Sequence, residues 1–348
     1  MKARLHRALD DEARAEFTAF ARDSAAASYL QDADWPDFAP RSGRMDYLWA
    51  TVRGRDGRLV GTAVIRRRAL GAGLWLGALR RGPVTRRPEE VGPVLAALAP
   101  VLRRAGAVSV TANPRWEDAR ADAAEAAMRG VGARLLPDGR QVLHRETGLI
   151  DFGRPLDEIR AGYRTEIRRQ LRQLDEAGID VVAAEAPEIQ ARMDRWHDAT
   201  AEAKGFSISG IPDAARQIAH VRAHGGLFLA ARVEGEPVGA VCALRDGDRL
   251  LLMAAGWRDP DASFPRLPLI VDAIVARAAG MEGIRALDLG GLTPEAGYEA
   301  DPAARNRDRI KLRFGTRRVR LARMHAVALR PMLGALADRA RSLLRGRD

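Results

Sequence analysis

The residues best suited to chemistry lie near the end of the chain, in two short stretches. The first, 284–289, reads as a buried strand that runs into Gly290 and Gly291, where a backbone can turn sharply or admit a ligand closely. The second, 309–314, alternates cationic and apolar side chains around Lys311, which is the period of a half-buried strand. The pattern predicts a row of cations beside a glycine turn. Such a row suits an anionic substrate or a developing oxyanion.

A second basic feature precedes these stretches. A helix is expected over 156–177, and Arg164, Arg168 and Arg172 are spaced four apart on it, so they form one stripe. The whole chain has 57 Lys+Arg against 46 Asp+Glu, a net charge of +11. This excess favours phosphates, nucleic acid or an acidic membrane surface as partners. The alternative is a compositional bias toward arginine that leaves a solvated surface without a ligand.

Several other kinds of chemistry find no support in the residues. The sequence shows no hydrolase triad and no phosphate loop, and His220 and His224 lack a third ligand nearby, so no metal is expected. The only cysteine, Cys242, lies in an apolar run and predicts a core residue. The amino terminus lacks the apolar segment of a signal peptide, and no run approaches the ~18 residues of a membrane span. A cytoplasmic protein is the default expectation.

The elements that position these residues occur twice along the chain. Residues 57–64 match residues 235–242, and each stretch is followed by an apolar strand, a helix, a glycine and a final strand. The expected elements are strands 47–52, 59–65, 74–79 and 108–112 with helix 89–105, and then strands 238–244, 250–255 and 284–289 with helix 267–279. The same order at similar spacing predicts two domains of one mixed α/β fold.

The domain boundaries follow from this repeat. The first domain is expected over 1–148 and the second over 149–317. The tail, 318–348, is expected to complete the first domain, with an amphipathic helix over 326–345 packed on it.

A mixed order of strand, hairpin, helix and strand, with a glycine bulge in a central strand, resembles the fold of coenzyme A-dependent N-acetyltransferases, the GNAT fold. Those enzymes cradle pyrophosphate with an Arg/Gln-x-x-Gly-x-Gly/Ala turn between a strand and a helix. Two literal matches occur, at 58–63 and 68–73, but neither precedes a helix. The sequence therefore disfavours coenzyme A as the donor while retaining the fold, in two tandem GNAT-like acyltransferase domains.

The whole chain resembles the Fem family of aminoacyl-tRNA-dependent peptidyltransferases, which have two such domains. The resemblance lies in short segments whose order and spacing match the family. These are Tyr29-Leu30-Gln31 with Trp35, Arg81-Gly82-Pro83-Val84, the basic helix around Arg168, Asp288-Leu289-Gly290-Gly291 and Lys311-Leu312-Arg313-Phe314-Gly315.

The resemblance implies transfer of an amino acid from aminoacyl-tRNA to an amine, forming an amide with no further cofactor. Lys311 would stabilise the oxyanion or neutralise the terminal phosphate, and Asp288 would orient the amine, accept its proton or cap the glycine turn. The arginines that would follow the RNA acceptor end are Arg164, Arg168, Arg305, Arg309 and Arg313. By the same resemblance, Gln31, Trp35 and Arg81 would line the acceptor site.

The implied partners are aminoacyl-tRNA and an amine-bearing peptide or cell-wall precursor, with peripheral contact to a membrane left open. Two other functions remain open. One is an acyl-coenzyme A-dependent N-acyltransferase of the same fold, and the other is an RNA-binding module without enzymatic activity.

Overall fold

A computed structural model describes residues 1–39, 45–184, 187–204, 211–259, 264–299 and 302–331. Its strands are β1 (Lys2–His6), β2 (Met45–Arg53), β3 (Leu59–Gly71), β4 (Leu74–Arg81), β5 (Ala107–Pro114), β6 (Arg134–Leu135), β7 (Glu146–Asp151), β8 (Ile179–Ala183), β9 (Gly226–Val233), β10 (Glu236–Asp246), β11 (Arg249–Trp257), β12 (Ala286–Leu292), β13 (Arg317–Arg320) and β14 (His325–Ala328).

Its helices are α1 (Asp11–Arg22), α2 (Trp35–Phe38), α3 (Val91–Arg104), α4 (Asp118–Gly130), α5 (Leu156–Ala161), α6 (Thr165–Glu176), α7 (Pro187–Lys204), α8 (Ala214–His224), α9 (Arg266–Ala278) and α10 (Pro302–Leu312). None of the helices in the described ranges is long and apolar enough to cross a bilayer.

The chain divides into two compact units. Unit 1 comprises the described residues within 1–36, 41–145 and 320–348, and unit 2 those within 37–40 and 146–319. The chain thus leaves unit 1 at β7 and returns to it before β14.

Each unit contains one seven-stranded mixed sheet. The strand order is β1-β2-β3-β4-β5-β14-β6 in unit 1, and β8-β9-β10-β11-β12-β7-β13 in unit 2. In each sheet one pair of neighbouring described strands is parallel, β4 with β5 in unit 1 and β11 with β12 in unit 2. The next strand in the order is antiparallel in both sheets, β14 beside β5 and β7 beside β12. The repeat predicted from the sequence is therefore confirmed as one mixed α/β fold built twice.

A helix joins each parallel pair, because parallel strands need a crossover connection. Helix α3 joins β4 to β5, and α9 joins β11 to β12. The apolar stripe of α3 packs on the sheet of unit 1 through Val94, Leu95 and Leu98, whereas α9 contributes its apolar side chains to the core of unit 2. These cores hold the sheets that position the residues described below.

The helix expected over 156–177 is interrupted. Arg164 has an extended backbone (φ −59°, ψ 148°) and begins α6 as its N-cap. Its backbone N–H donates to the carbonyl of Arg313 at 2.8 Å, and the Arg168 guanidinium donates to the carbonyls of Ala161 and Tyr163 at 2.9 and 2.6 Å. The freed carbonyls at the end of α5 are satisfied in this way, which makes the break stable.

One expectation for the carboxyl-terminal part was wrong, and a second was wrong at the start of its range, where the structure describes it. The predicted strand over 309–314 is the last turn of α10 and the turn that follows it. The predicted helix over 326–345 begins instead as β14, since residues 325–328 pair with the edge of β5 from Ala112 to Ser109. Leu329 is buried as expected. Residues 332–348 lie outside the described ranges.

Candidate active site

The parallel strands β11 and β12 separate inside unit 2. They pair at Arg249, Leu250 and Leu251 of β11, and the last partner on β12 is Asp288. Beyond these residues β11 stays paired with β10 and β12 stays paired with β7, while β11 and β12 no longer pair with each other. In unit 1 the equivalent strands β4 and β5 stay paired along their whole length, from Trp75 to Arg81 of β4. Among the described strands, the opening in the backbone is therefore particular to unit 2.

A glycine bulge forms the wall of this opening. β12 extends through Gly290 and Gly291 instead of ending there, and its register with β7 shifts between Asp288 and Gly291. Gly290 has φ +78°, which a residue with a Cβ adopts only with strain. The bulge turns the Gly291 carbonyl to meet a side chain, as described below.

Asp288 holds the bulge in place. Its Oδ1 accepts hydrogen bonds from the Thr147 hydroxyl and from the Gly290 N–H, the latter at 2.8 Å, while its Oδ2 lies 3.7 Å from an Arg249 nitrogen. Burial raises the pKa of Asp288 above its usual range, while the charge of Arg249 and these hydrogen bonds oppose the rise. The geometry gives Asp288 a structural part, and its part in catalysis stays a prediction.

We expect Asp288→Ala to destabilise unit 2 by about 3 kcal/mol, because it removes the buried partner of Arg249 and the acceptor of the Thr147 and Gly290 donors. Urea unfolding followed by tryptophan fluorescence measures this. Asp157→Ala, at an exposed carboxylate of α5, is the control and should stay within about 0.5 kcal/mol of the unaltered chain. Equal losses in both variants would contradict the structural role.

Lys311 reaches the bulge from α10. Its Nζ donates to the Gly291 carbonyl at 2.8 Å. Burial lowers the pKa of Lys311 below the usual lysine value, and the carboxylates of Asp308 and Asp288 oppose this shift. The sequence predicts Lys311 beside the glycine turn on a strand, whereas the structure has it there on a helix. Its part in catalysis stays a prediction. The ammonium lies where two strands part, in a site that only partly excludes water.

The lowered pKa gives Lys311 a signature in stability. Between that pKa and the ordinary lysine value of about 10.4, the folded chain has released the Lys311 proton while the unfolded chain still holds it. The unfolded state then binds more protons, so stability rises with pH in this window. We expect the free energy of unfolding of the unaltered chain, relative to Lys311→Met, to increase by up to roughly 1.4 kcal/mol per pH unit there. A pH-independent difference between the two would contradict the shift.

A basic cavity of about 660 Å³ lies beside α10 in unit 2. Four of the five arginines assigned to phosphate binding line it, and the lining residues are Arg164, Thr165, Glu166, Tyr298, Arg305, Arg309, Leu312 and Arg313. Glu166 pairs with Arg313 at 2.5 Å. Within the described part of the chain, Arg164, Arg305 and Arg309 have no carboxylate partner. The cavity therefore presents a surplus of positive charge.

Tyr298 forms an aromatic wall of this cavity. The Arg305 guanidinium lies 5.7 Å from the centre of its ring, and the Arg318 guanidinium lies 5.9 Å from it. The Tyr298 hydroxyl donates to Asp308 at 3.1 Å and accepts from Arg318 at 2.8 Å. Asp308 also accepts from the Thr293 N–H at 2.6 Å. These bonds fix α10 to the loop after β12, and so fix Lys311 against the bulge.

The remaining residues assigned from the sequence have other surroundings. Arg168 is committed to the break between α5 and α6. In unit 1, the Gln31 amide fastens its segment between two strands, accepting from the Val64 N–H at 2.8 Å and donating to the carbonyls of Val64 and Arg80 at 3.1 and 2.8 Å. Gln31 has a structural role, and its contact with an acceptor stays a prediction.

Trp35 and Arg81 are also tied into unit 1. Trp35 is buried and packs edge-on against Tyr29, with ring centroids 4.7 Å apart. Arg81 has φ +56°, and its guanidinium donates to the carbonyl of His144 at 2.9 Å. Their assignment to an acceptor site remains a prediction.

Sequence reasoning missed Tyr298, Arg318, Thr147 and Arg249, each of which acts through a partner distant in the chain. One available signal was overlooked. Only 3 of the 57 cationic side chains are lysines, namely Lys2, Lys204 and Lys311. A lysine among so many arginines indicates a position that an arginine guanidinium does not suit. The lysine ammonium is more compact, and its pKa shifts readily when it is buried.

Comparison with known proteins supports the fold. The Acetyltransferase (GNAT) domain family matches residues 161–300. No curated protein matches the chain. The crystal structure of FemX superposes with a TM-score of 0.80 at 13% identity, covering 97% of this chain and 99% of that one.

Two further solved structures are similar. The C-terminal domain of a putative lysylphosphatidylglycerol synthetase from Agrobacterium fabrum gives a TM-score of 0.56 at 13% identity, covering 90% of this chain and 92% of that one. A tandem GNAT protein from the clavulanic acid biosynthesis pathway gives 0.53 at 16% identity, covering 94% and 99%. The chain therefore has a fold of two tandem GNAT-like domains that resembles the fold of FemX.

Proposed function

We propose that this chain is an aminoacyltransferase that moves an amino acid from aminoacyl-tRNA to an amine and forms an amide bond. The observation that carries the proposal is the cavity in unit 2, where Arg164, Arg305, Arg309 and Arg313 converge beside the aromatic wall of Tyr298. Clustered guanidinium groups bind phosphate oxygens, and an aromatic ring offers a face for a nucleobase. The 3′ end of a tRNA carries both groups.

Lys311 fits the chemical step. The amine nitrogen of the acceptor attacks the carbonyl carbon of the aminoacyl ester, and a tetrahedral oxyanion forms. The Lys311 ammonium would stabilise this charge from the opening between β11 and β12. The bond from carbon to the ribose oxygen then breaks, the ribose hydroxyl takes up a proton and the attacking nitrogen loses one. An activated ester needs no metal or redox group for this exchange.

The names of similar structures agree with aminoacyl transfer. FemX gives the highest TM-score of those described above, and a lysylphosphatidylglycerol synthetase is by its name a protein that joins a lysyl group to a lipid. The amine acceptors that fit the proposal are a cell-wall precursor peptide, another peptide and a small amine, whereas transfer to a lipid hydroxyl would give an ester in place of an amide. A cytoplasmic location and peripheral contact with a membrane are compatible with each of these acceptors and belong to the proposal.

A coenzyme A-dependent N-acyltransferase is the second candidate. The match to the GNAT domain family favours it, and the tandem GNAT structure belongs to the same fold. The phosphates and adenine of coenzyme A would also fit a cavity lined by arginines and a tyrosine. The identity of the donor therefore distinguishes the two functions.

The decisive experiment offers both donors to the full chain. A pool of radiolabelled aminoacyl-tRNAs, with hydrolysis blanks, and labelled acetyl-coenzyme A are each incubated with cell-wall precursors, small amines or phosphatidylglycerol vesicles. Label transferred from aminoacyl-tRNA supports the proposal and identifies the acceptor. Transfer from acetyl-coenzyme A alone would overturn it in favour of the second candidate. Salt-dependent RNA binding without transfer from either donor would point to an RNA-binding module.

A further inference from the structure

A second basic site lies on the sheet of unit 1, on the face opposite α3 and α4. Tyr47, Arg66, Ala78 and Thr111 are successive cross-strand partners on β2, β3, β4 and β5, so they form one row on one face. Leu48, Ile65 and Leu79 alternate with this row and point into the core under α3. The row therefore lies on the face of the sheet that points away from α3.

Two arginines lie close together on this face. Arg80 lies two positions beyond Ala78 on β4, which places it on the same face as Arg66. Burial and the charge of Arg80 lower the pKa of Arg66, while Tyr47 opposes the shift. In the described ranges neither guanidinium meets a carboxylate, and the Nε of Arg66 is buried without a hydrogen-bond partner. Two like charges held together in this way favour an anion between them.

The surroundings form a fixed cradle. Gln31 is bonded to the backbone of both Val64 and Arg80, which fixes β3 relative to β4 beside the two arginines. Phe17 of α1 packs on Val64, with Tyr47 against the same cluster, and closes one side of the face. Opposite Arg66 stands Ala78, whose small side chain leaves room next to the guanidinium.

Tyr47 supplies a third donor. Burial raises the pKa of its hydroxyl, while Arg66 and Arg80 act in the opposite direction, so the hydroxyl carries its proton at neutral pH. A neutral phenol and two guanidinium groups are all hydrogen-bond donors. The group that satisfies three such donors is an oxyanion with several acceptor oxygens.

We propose that Tyr47, Arg66 and Arg80 form an oxyanion-binding subsite on unit 1 that holds a phosphate or carboxylate of the acceptor. In naming the ligand as part of the acceptor, the inference rests on the proposed function. The site itself, as a place that binds a compact oxyanion, does not depend on the donor or on transfer.

Direct binding tests the subsite without any transfer reaction. The protein used is the full chain with Arg305→Gln and Arg309→Gln, so that the cavity of unit 2 contributes little. Inorganic pyrophosphate and succinate are titrated calorimetrically at low ionic strength. Pyrophosphate binding tighter than succinate indicates a phosphate-bearing ligand, and the reverse order indicates a carboxylate. Either order supports the subsite and identifies the anionic group that it prefers.

Variants locate the binding. Adding Arg66→Gln or Arg80→Gln to that background is expected to raise the Kd at least about tenfold, and Tyr47→Phe about threefold. Arg104→Gln, at an exposed arginine on the helix α3 across the sheet, should leave the Kd unchanged. Melting temperatures check each fold, and if Arg66→Gln does not fold, the less enclosed Arg80→Gln carries the test.

Two results would overturn the subsite. One is an unchanged Kd in both arginine variants, and the other is an equal loss in Arg104→Gln, which would indicate binding to the general positive field. Failure of aminoacyl transfer with this binding intact would count against the proposed function alone. Transfer without this binding would count against the subsite alone.

Discussion

Replacing Lys311 with alanine is expected to lower kcat for aminoacyl transfer by about 10²- to 10³-fold, the usual effect of removing one donor to an oxyanion. The Nζ donates to the Gly291 carbonyl where β11 and β12 part, which places an ammonium group against this bulge. Because the ammonium is needed mainly for the charge that develops in the transition state, the KM for aminoacyl-tRNA should change little. Single-turnover transfer from purified aminoacyl-tRNA measures the step.

Lys2→Ala is the matched control, since Lys2 is an exposed lysine on β1. It removes the same charge and should transfer at the unaltered rate. Lys311→Arg is expected to restore little activity, because the site around Nζ is partly buried and accommodates a compact ammonium rather than a planar guanidinium. A Lys311→Ala variant with an unchanged kcat and a raised KM would instead assign Lys311 to binding the terminal phosphate.

The fold was largely readable from the sequence because the signals were local and occurred twice. A hairpin across Asp56 and Gly57, apolar strands of regular length and amphipathic helices with glycines after them recur in the same order in both halves. Such signals depend on nearest neighbours along the chain. The placement of β7 in the sheet of unit 2 and of β14 in the sheet of unit 1 depends on partners far apart in sequence. Local pattern therefore predicted a helix from residue 326, where residues 325–328 form strand β14.

The segment around Lys311 shows how a residue can be expected beside the glycine turn while its secondary structure is predicted wrongly. Ile310 is 40% exposed, so the apparent alternation of apolar residues does not describe a buried face. The inward face of α10 contains Ala304, Asp308 and Lys311, at the spacing of a helix. Because two of these three are charged, hydrophobic periodicity could not detect the helix. Their burial is compensated by bonds to Thr293, Tyr298 and Gly291, which the sequence does not reveal.

The sequence predicted which arginines lie near one another better than it predicted where their side chains point. Four of the assigned arginines come from two separate segments and line one cavity, because the backbone of Arg164 is bonded to that of Arg313. Their binding of phosphate stays a prediction. Arg168 belongs to the same helical stripe in sequence, yet its guanidinium satisfies carbonyls exposed by the break between α5 and α6. Helical spacing identified the stripe, but it assumed an unbroken helix.

The arginine cavity leads to the second large effect, which concerns affinity rather than rate. Arg305→Gln combined with Arg309→Gln is expected to raise the KM for aminoacyl-tRNA by about 10²- to 10⁴-fold, since each charge-assisted bond to a phosphate contributes roughly 1.5–3 kcal/mol. Neither arginine has a carboxylate partner among the described residues, so both are available to a ligand. The kcat at saturating donor should stay within a few-fold, because Lys311 and the bulge are untouched.

Salt dependence separates a bound phosphate from a general attraction. Each lost contact with single-stranded RNA should reduce the slope of log KM against log salt by about 0.7, hence by about 1.4 for the pair. The control is Arg195→Gln with Arg222→Gln, two exposed arginines on α7 and α8 of the same unit, which removes an equal charge away from the cavity. The control should keep both KM and slope. If it loses as much slope as the cavity variant, the arginines of the cavity act only through the net charge of the surface and make no direct contact with the donor.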